Sequence, residues 1–323
     1  MWRMKLTIPR LLIGAALLAA PAWTWSRGGH MTVAYIAYQK LTPAVKLKVD
    51  ELLKQNPSYL KWVEDIPDTP ENKEQRSLRA FLRAALWADD IKSDGAYDDA
   101  DAKPGSNGNE PSGSPENAQN IGYTDKHRHK YWHFHDMAFT TDGTTLGQPS
   151  TPSALTQMSI LRDGLKNGSG DIPSYDLVWL IHLVGDVHQP LHASERFTAT
   201  HTEGDDGGNK QLLCKQTCSQ KLHSFWDGLL GTDLDYDDAM ARGNDLIEEN
   251  PGDPSGSGIE DVSVWITRSF RLAKQRSYAL PIRKDGKPSS TNKTYRKNAQ
   301  ATAESQVLIA GHRLARLINN ALT

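Results

Sequence analysis

Apolar positions along this chain recur mostly at helical spacing, so helices account for most of the elements they predict. The most apolar stretch is 180–192, which reads Leu-Ile-His-Leu-Val-Gly-Asp-Val-His-Gln-Pro-Leu-His. Pro173 and Ser174 open the helix that contains it, and Pro190 ends or kinks that helix. Residues four apart share a helix face, so His182 and Asp186 point into one place, while His192 lies past the proline and is free to face elsewhere. An amphipathic run covers 31–40. A second helix starts at Thr42, an N-cap with Pro43 at the first helical position, and reaches about Gln55. Residues 76–92 carry Leu78, Phe81, Leu82, Ala85 and Leu86 on one stripe, and Pro152 opens a helix to about Lys166 with Leu155, Met158, Ile160, Leu161 and Leu165 inside. Helices follow at 239–249, 262–278 and 298–321, the last with Val307, Leu308, Ala310, Leu314, Leu317 and Ile318 as its core stripe. The polar, Gly- and Pro-rich stretch 93–124 and the polar run 198–208 read as surface loops. The pattern predicts an all-α, single compact helical domain with long surface loops.

Composition changes that picture in two ways. At 323 residues with 38% apolar content the chain can bury a large core, and a formal net charge of −2 leaves no basic field for a polyanion. Any phosphate it handles must therefore be held by metals. Arg3 and Lys5 followed by an apolar run over 11–20 and the small residues Ala19, Ala20 and Ala22 read as an export signal, too short for a membrane span. Export to a secreted or periplasmic location makes a bridge between the two cysteines, Cys214 and Cys218, the favoured reading over a zinc pair.

Candidate chemistry sits where polar groups interrupt apolar helices. An unpaired buried charge is too costly to serve packing alone, and imidazole with carboxylate suits zinc. A satisfied core histidine would explain one of His182, His188 and His192, not the set. Leu222-His-Ser-Phe-Trp-Asp227 repeats the H-x3-D spacing on a helix. In Trp87-Ala-Asp-Asp-Ile-Lys92 two acids end a helix, where the dipole disfavours them unless a cation is near. In 127–136 the alternation suggests a short extended stretch with His133 and His135 on one face, whereas His127 and His129, beside Arg128 and Lys130, read as solvated. His30 alone would be a weak signal, and His312 reads as solvated or packed. Gly207-Gly-Asn209 suits either a close backbone approach or a plain turn.

Taken in order, Trp25-x4-His30, Trp87-Ala-Asp89, Trp132-His133-Phe134-x-Asp136, His182-x3-Asp186-x5-His192, Gly207-Gly-Asn209 and His223-x2-Trp-Asp227 resemble the S1/P1 nuclease family of exported zinc nucleases that prefer single strands. The resemblance spans residues 25–323 after a signal segment of 1–24, and implies the all-α fold shared with the zinc-dependent phospholipases C. It implies three zinc ions: one held by Asp89, His133, His182 and Asp186, one by His192, His223 and Asp227, and one by His30, a bridging Asp186, and the terminal amine and carbonyl oxygen of Trp25. Trp25 would then be the first residue of the mature chain, although cleavage after Ala22, leaving Trp23 first, fits the small-residue pattern better than cleavage after Thr24.

The implied activity is an endonuclease and 3′-nucleotidase that cuts single-stranded DNA and RNA to 5′-phosphorylated products. Asp89 would orient or deprotonate the attacking water and Lys92 would offset charge on the pentavalent phosphorus. Phe134 would stack a base, with Asp136 and Asn209 on its edge, which favours unpaired strands without a basic groove. The expected partners are single-stranded nucleic acid and nucleotides as substrate, with no stable membrane association and a monomeric state. One departure is the loop between His192 and Gly207, longer than in fungal members, which carries Glu195, Arg196, His201, Glu203 and two aspartates and borders the expected site. A zinc-dependent phospholipase C and a zinc-stabilised binding protein without activity are the alternative readings.

Overall fold

The computed structural model describes residues 25–114, 119–148, 153–214 and 218–323, so the expected export segment and Pro152 lie outside the described residues. The fold is mostly helical: α1 (Arg27–Lys40), α2 (Pro43–Leu53), α3 (Tyr59–Trp62), α4 (Lys73–Asp90), α5 (Ala154–Asn167), α6 (Ile172–Asp186), α7 (Leu222–Asp227), α8 (Tyr236–Glu249), α9 (Val262–Leu272) and α10 (Lys293–Leu322). Two small ladders accompany them. β1 (Met137–Thr140) pairs in parallel with β2 (Ser194–Phe197), and β3 (Leu212–Leu213) pairs antiparallel with β4 (Gln220–Lys221). Cys214 and Cys218 are bridged. No helix among the described residues is long and apolar enough to cross a membrane.

The expected helices appear with shifted ends. Thr42 caps α2 by accepting the Val45 N–H on its hydroxyl, and Asn292 caps α10 the same way for Tyr295, which starts that helix before the apolar stripe begins. The central helix is shorter than expected: α6 stops at Asp186, before Pro190. The side chain of Gln189 accepts the Leu191 N–H and opens a separate 3-10 turn over Pro190–Ala193, which sets the direction of His192. The run 31–40 is not amphipathic in its surroundings. α1 packs against α4, α6, α8 and α10, and Gly28 through Tyr38 are buried. Close approach makes this possible, since a Cβ at Gly311 of α10 would lie 2.5 Å from Ile36 Cγ2. A helix enclosed on all sides needs no polar face.

Two expectations for 127–136 are corrected. Lys130–His133 forms a 3-10 turn, so the extended backbone begins only at Phe134; His133 is buried in the turn, and His135 is half-buried against Ser153 Oγ. His129 is not solvated. It is 1% exposed, with Nδ1 2.8 Å from Asp101 Oδ2 and Nε2 2.6 Å from Asp125 Oδ2, and its ring stacks on Trp132 at 3.6 Å. Asp101 belongs to the long loop, so this buried Asp–His–Asp clasp ties the loop to the core. Burial pulls the His129 pKa down, but the two carboxylates outweigh it and hold the pKa above its ordinary value. The raised pKa means that the charged clasp stabilises the fold fully below about pH 6.5, the unfolded value, and that this contribution is lost as pH rises through the folded value. His129→Ala is expected to cost about 3–5 kcal/mol in urea unfolding at pH 6 and less at pH 9. An equal cost at both pH values would rule out a charged clasp.

Candidate metal centre and adjoining cavity

The centre lies where α1, α4, α6 and α7 meet the turns around His133 and His192. α6 supplies His182 and Asp186 one turn apart on one face. The two oxygens of Asp186 face different imidazoles: Oδ2 is 2.9 Å from His133 Nδ1 and 3.0 Å from His182 Nε2, and Oδ1 is 3.4 Å from His30 Nε2 and 3.5 Å from His192 Nδ1. The Asp89 carboxylate at the end of α4 stands 3.7 Å from His182 Nε2 and 2.8 Å from Lys92 Nζ. A little further on, His192 Nε2 and His223 Nε2 approach the two oxygens of Asp227 at 3.9 and 3.5 Å. Ligand atoms within 4.8 Å of one another therefore form three groups, His30/Asp89/His182, His133/His182/Asp186 and His192/His223/Asp227. The first two share His182 and make one continuous cluster.

Backbone carbonyls fix the tautomers. Nδ1–H of His182 donates to Ala85 O at 2.7 Å, that of His192 to His133 O at 2.9 Å, and that of His223 to Gly207 O at 2.8 Å. Each leaves its Nε2 lone pair aimed at the carboxylates, the arrangement by which outer partners orient metal-binding imidazoles. Left-handed Asp206, Gly207 and Gly208 bring the Gly207 carbonyl there, and a Cβ at Gly207 would stand 2.7 Å from Leu191 O. The Gly-Gly-Asn turn is thus a close backbone approach, made to the protein itself. Gln189, which sequence reasoning passed over, donates from Nε2 to Asp227 Oδ1 at 2.7 Å. Its position between His188 and His192 was its only signal. His188 lies apart, with Nδ1–H on Val184 O and Nε2 accepting from Arg313. His312 is packed against Asp253.

The residues fit a divalent cation. Both nitrogens of His30, Nε2 of His133 and of His192, Oδ1 of Asp186 and Oδ2 of Asp227 are buried without a hydrogen-bond partner. Such groups are costly unless a ligand satisfies them. Burial, as the first cause, pushes the His133 and His192 pKa values down to about 3, so both imidazoles are neutral, the state that ligates metals. Burial, with the charges of Asp186 and Asp89 nearby, pushes Asp227 well above the carboxylate range, an imbalance that a cation relieves. Asp186 is held well below that range because His182 and His192 outweigh its burial.

α6 and α1 touch at the centre. The His30 and His182 rings stack at 4.0 Å, and a Cβ on Gly185 would lie 2.8 Å from His30 Nδ1. Gly185→Ala favours the helix but should displace His30, weakening metal affinity by about 10- to 100-fold. Unchanged zinc content after dialysis against a metal buffer would contradict this.

His192 and His223 also line a cavity of about 230 Å³, together with Phe134, Asp136 and Asn209. Two of the sequence-predicted metal residues therefore share one space with the three predicted base-binding residues. Asn209 Nδ2 donates to Asp206 O, and Phe134 and Asp136 are half-buried. Asn107, Asn109 and Glu110 reach this cavity from the long loop, and Glu195, Phe197 and Glu203 from the His192–Gly207 segment. Trp25 is wholly buried ahead of α1, with the following Ser26 N–H on Asp227 O.

Fold and centre together define a mostly helical protein with a buried His/Asp metal site beside a cavity. The chain belongs to the S1/P1 nuclease family, whose profile matches residues 25–323. It is also similar to Endonuclease 1 of Arabidopsis thaliana, with 31% identity over 108 residues, 32% of this chain and 32% of that protein. The chain thus matches about a third of that relative's length.

Proposed function

We propose that residues 25–323 form one nuclease domain, exported after removal of 1–24, that hydrolyses phosphodiester bonds of single-stranded DNA and RNA to 5′-phosphorylated products and free 3′-hydroxyls, and 3′-nucleotides to nucleosides and inorganic phosphate. The observation that carries this reading is that His192 and His223 share one cavity with Phe134, Asp136 and Asn209. The donor set would hold three zinc ions: one on Asp89, His133, His182 and Asp186, one on His192, His223 and Asp227, and one on His30, Asp186 and the amine and carbonyl of Trp25. When bound, zinc lowers the pKa of water and draws charge from phosphate oxygens.

The chain's own residues do the rest. Asp89, about a third exposed and beside Lys92, would orient or deprotonate the attacking water. Burial raises its pKa, but Lys92, His182 and His133 outweigh that and keep it ionised. The Lys92 ammonium offsets negative charge gathering on phosphorus oxygens. Phe134 stacks one base, and Asp136 and Asn209 meet its edge, so the base must be unpaired.

The test is incubation of the mature protein with single-stranded DNA, duplex DNA and phosphatidylcholine vesicles, with and without chelator. Chelator-sensitive cleavage of the single strand well ahead of the duplex supports the reading. Lipid hydrolysis without cleavage of either nucleic acid would replace it with a phospholipase.

A further inference from the structure

Two side chains of the cavity, Glu195 and Phe197, have no part in the chemistry above. Both stand on β2, whose parallel pairing with β1 sets Ala138 opposite Glu195 and Thr140 opposite Phe197. Alternate strand residues share a face, and Asp136, Ala138, Glu195 and Phe197 all line the cavity. Glu195 is clamped by the loop behind it: its Oε1 accepts the Asp206 N–H at 2.8 Å, and a side chain at Gly204 would collide with that oxygen. Oε2 is left as the oxygen available to a ligand.

The neighbouring acids are matched by cations, Asp205 with Arg196 at 3.3 Å and Asp206 with Lys210 at 2.9 Å. Among the described residues no cationic side chain pairs with Asp136 or Glu195. Burial first, and then the surrounding carboxylates, push both pKa values well above the usual range. Both carboxyl-bearing residues line the cavity, where an N–H donated by a ligand favours the ionised, acceptor-only form of each.

We propose that Glu195 is a specificity-determining residue which, with Asp136, makes this cavity select nucleobases bearing an exocyclic amino group over uracil and thymine. Cytosine, adenine and guanine each bring an amino N–H to acceptor oxygens. Uracil and thymine flank their single ring N–H with carbonyl oxygens, which meet the carboxyls acceptor to acceptor. Phe134 and Phe197 stack any base, so stacking supplies affinity and the carboxyls supply the choice. The inference rests on the proposed function only in taking the ligand to be a nucleotide.

Calorimetric binding of CMP and UMP to the zinc-loaded protein tests it, because the two differ on that edge and little in stacking. The wild type should bind CMP about tenfold tighter than UMP, the scale of one well-placed base contact. In Glu195→Gln the side-chain oxygen keeps the Asp206 N–H, and Nε2 presents donors to the base. The CMP/UMP ratio should fall to about one or invert, chiefly through tighter UMP binding. Glu195→Asp, which withdraws the carboxyl by one methylene, should weaken CMP and leave UMP unchanged, and it carries the test should the glutamine variant not fold. A merely structural role would lower both affinities together. Equal CMP and UMP affinity in the wild type, or the wild-type ratio retained in folded variants, would overturn the inference. Base selectivity in a protein that cleaves no nucleic acid would overturn the nuclease reading instead and leave this one standing.

Discussion

Asp186→Asn is expected to lower the rate of single-strand cleavage by at least about 10³-fold, the scale on which one strong electrostatic element of a site acts. Its two oxygens stand within 3.5 Å of His30, His133, His182 and His192. Asparagine preserves volume and one acceptor but removes the charge and replaces an acceptor with a donor aimed at imidazole nitrogens. Elemental analysis of the purified variant should find at least one ion per chain missing. Heating should show a smaller chelator-induced fall in melting temperature than in wild type, because metal binding is folding free energy. A variant with the wild-type zinc content and turnover would remove Asp186 from its bridging role.

A residue placed ahead of Trp25 should be nearly as damaging, without altering any side chain. The third proposed zinc needs a free α-amine on Trp25, which is buried beside α1 and held near the centre by the Ser26 N–H on Asp227 O. An amide nitrogen in its place has no lone pair to offer. Protein beginning at Trp23 should therefore lack one zinc and lose activity on the same scale, and protein beginning at Trp25 should carry the full set. Intact-mass measurement of the exported chain should find Trp25 first. Equal zinc content and activity for the two starts would show that the amine is not a ligand.

The candidate centre was legible in the sequence to the extent that its residues lie on helices. His182 and Asp186, and His223 and Asp227, are each one turn apart, and helical geometry alone brings each pair together. The acids ending α4 stand out in the sequence because a helix end disfavours them unless a cation is near, and Lys92 Nζ lies 2.8 Å from Asp89. What escaped was decided by distant chain. His129 looks solvated among basic neighbours because Asp101, its partner in the clasp, is 28 positions away in a loop. The His-Phe-His alternation at 133–135 reads as a strand, yet His133 closes a 3-10 turn over Lys130–His133 and the backbone is extended only from Phe134. α1 reads as amphipathic, because the glycines that let α10 and α8 close over it belong to those helices. Gln189 and the cavity wall from Asn107 to Glu110 carry no local pattern at all; only the folded chain brings them to the site.

The central claim is that cleavage depends on zinc held by this cluster. Titrating mature protein with a zinc chelator, while recording zinc per chain and the rate of single-stranded DNA cleavage on the same samples, tests it most directly. The account predicts three zinc ions per chain at the start, a rate that falls as zinc leaves, and recovery when zinc is returned. Undiminished cleavage by protein stripped of metal would contradict it.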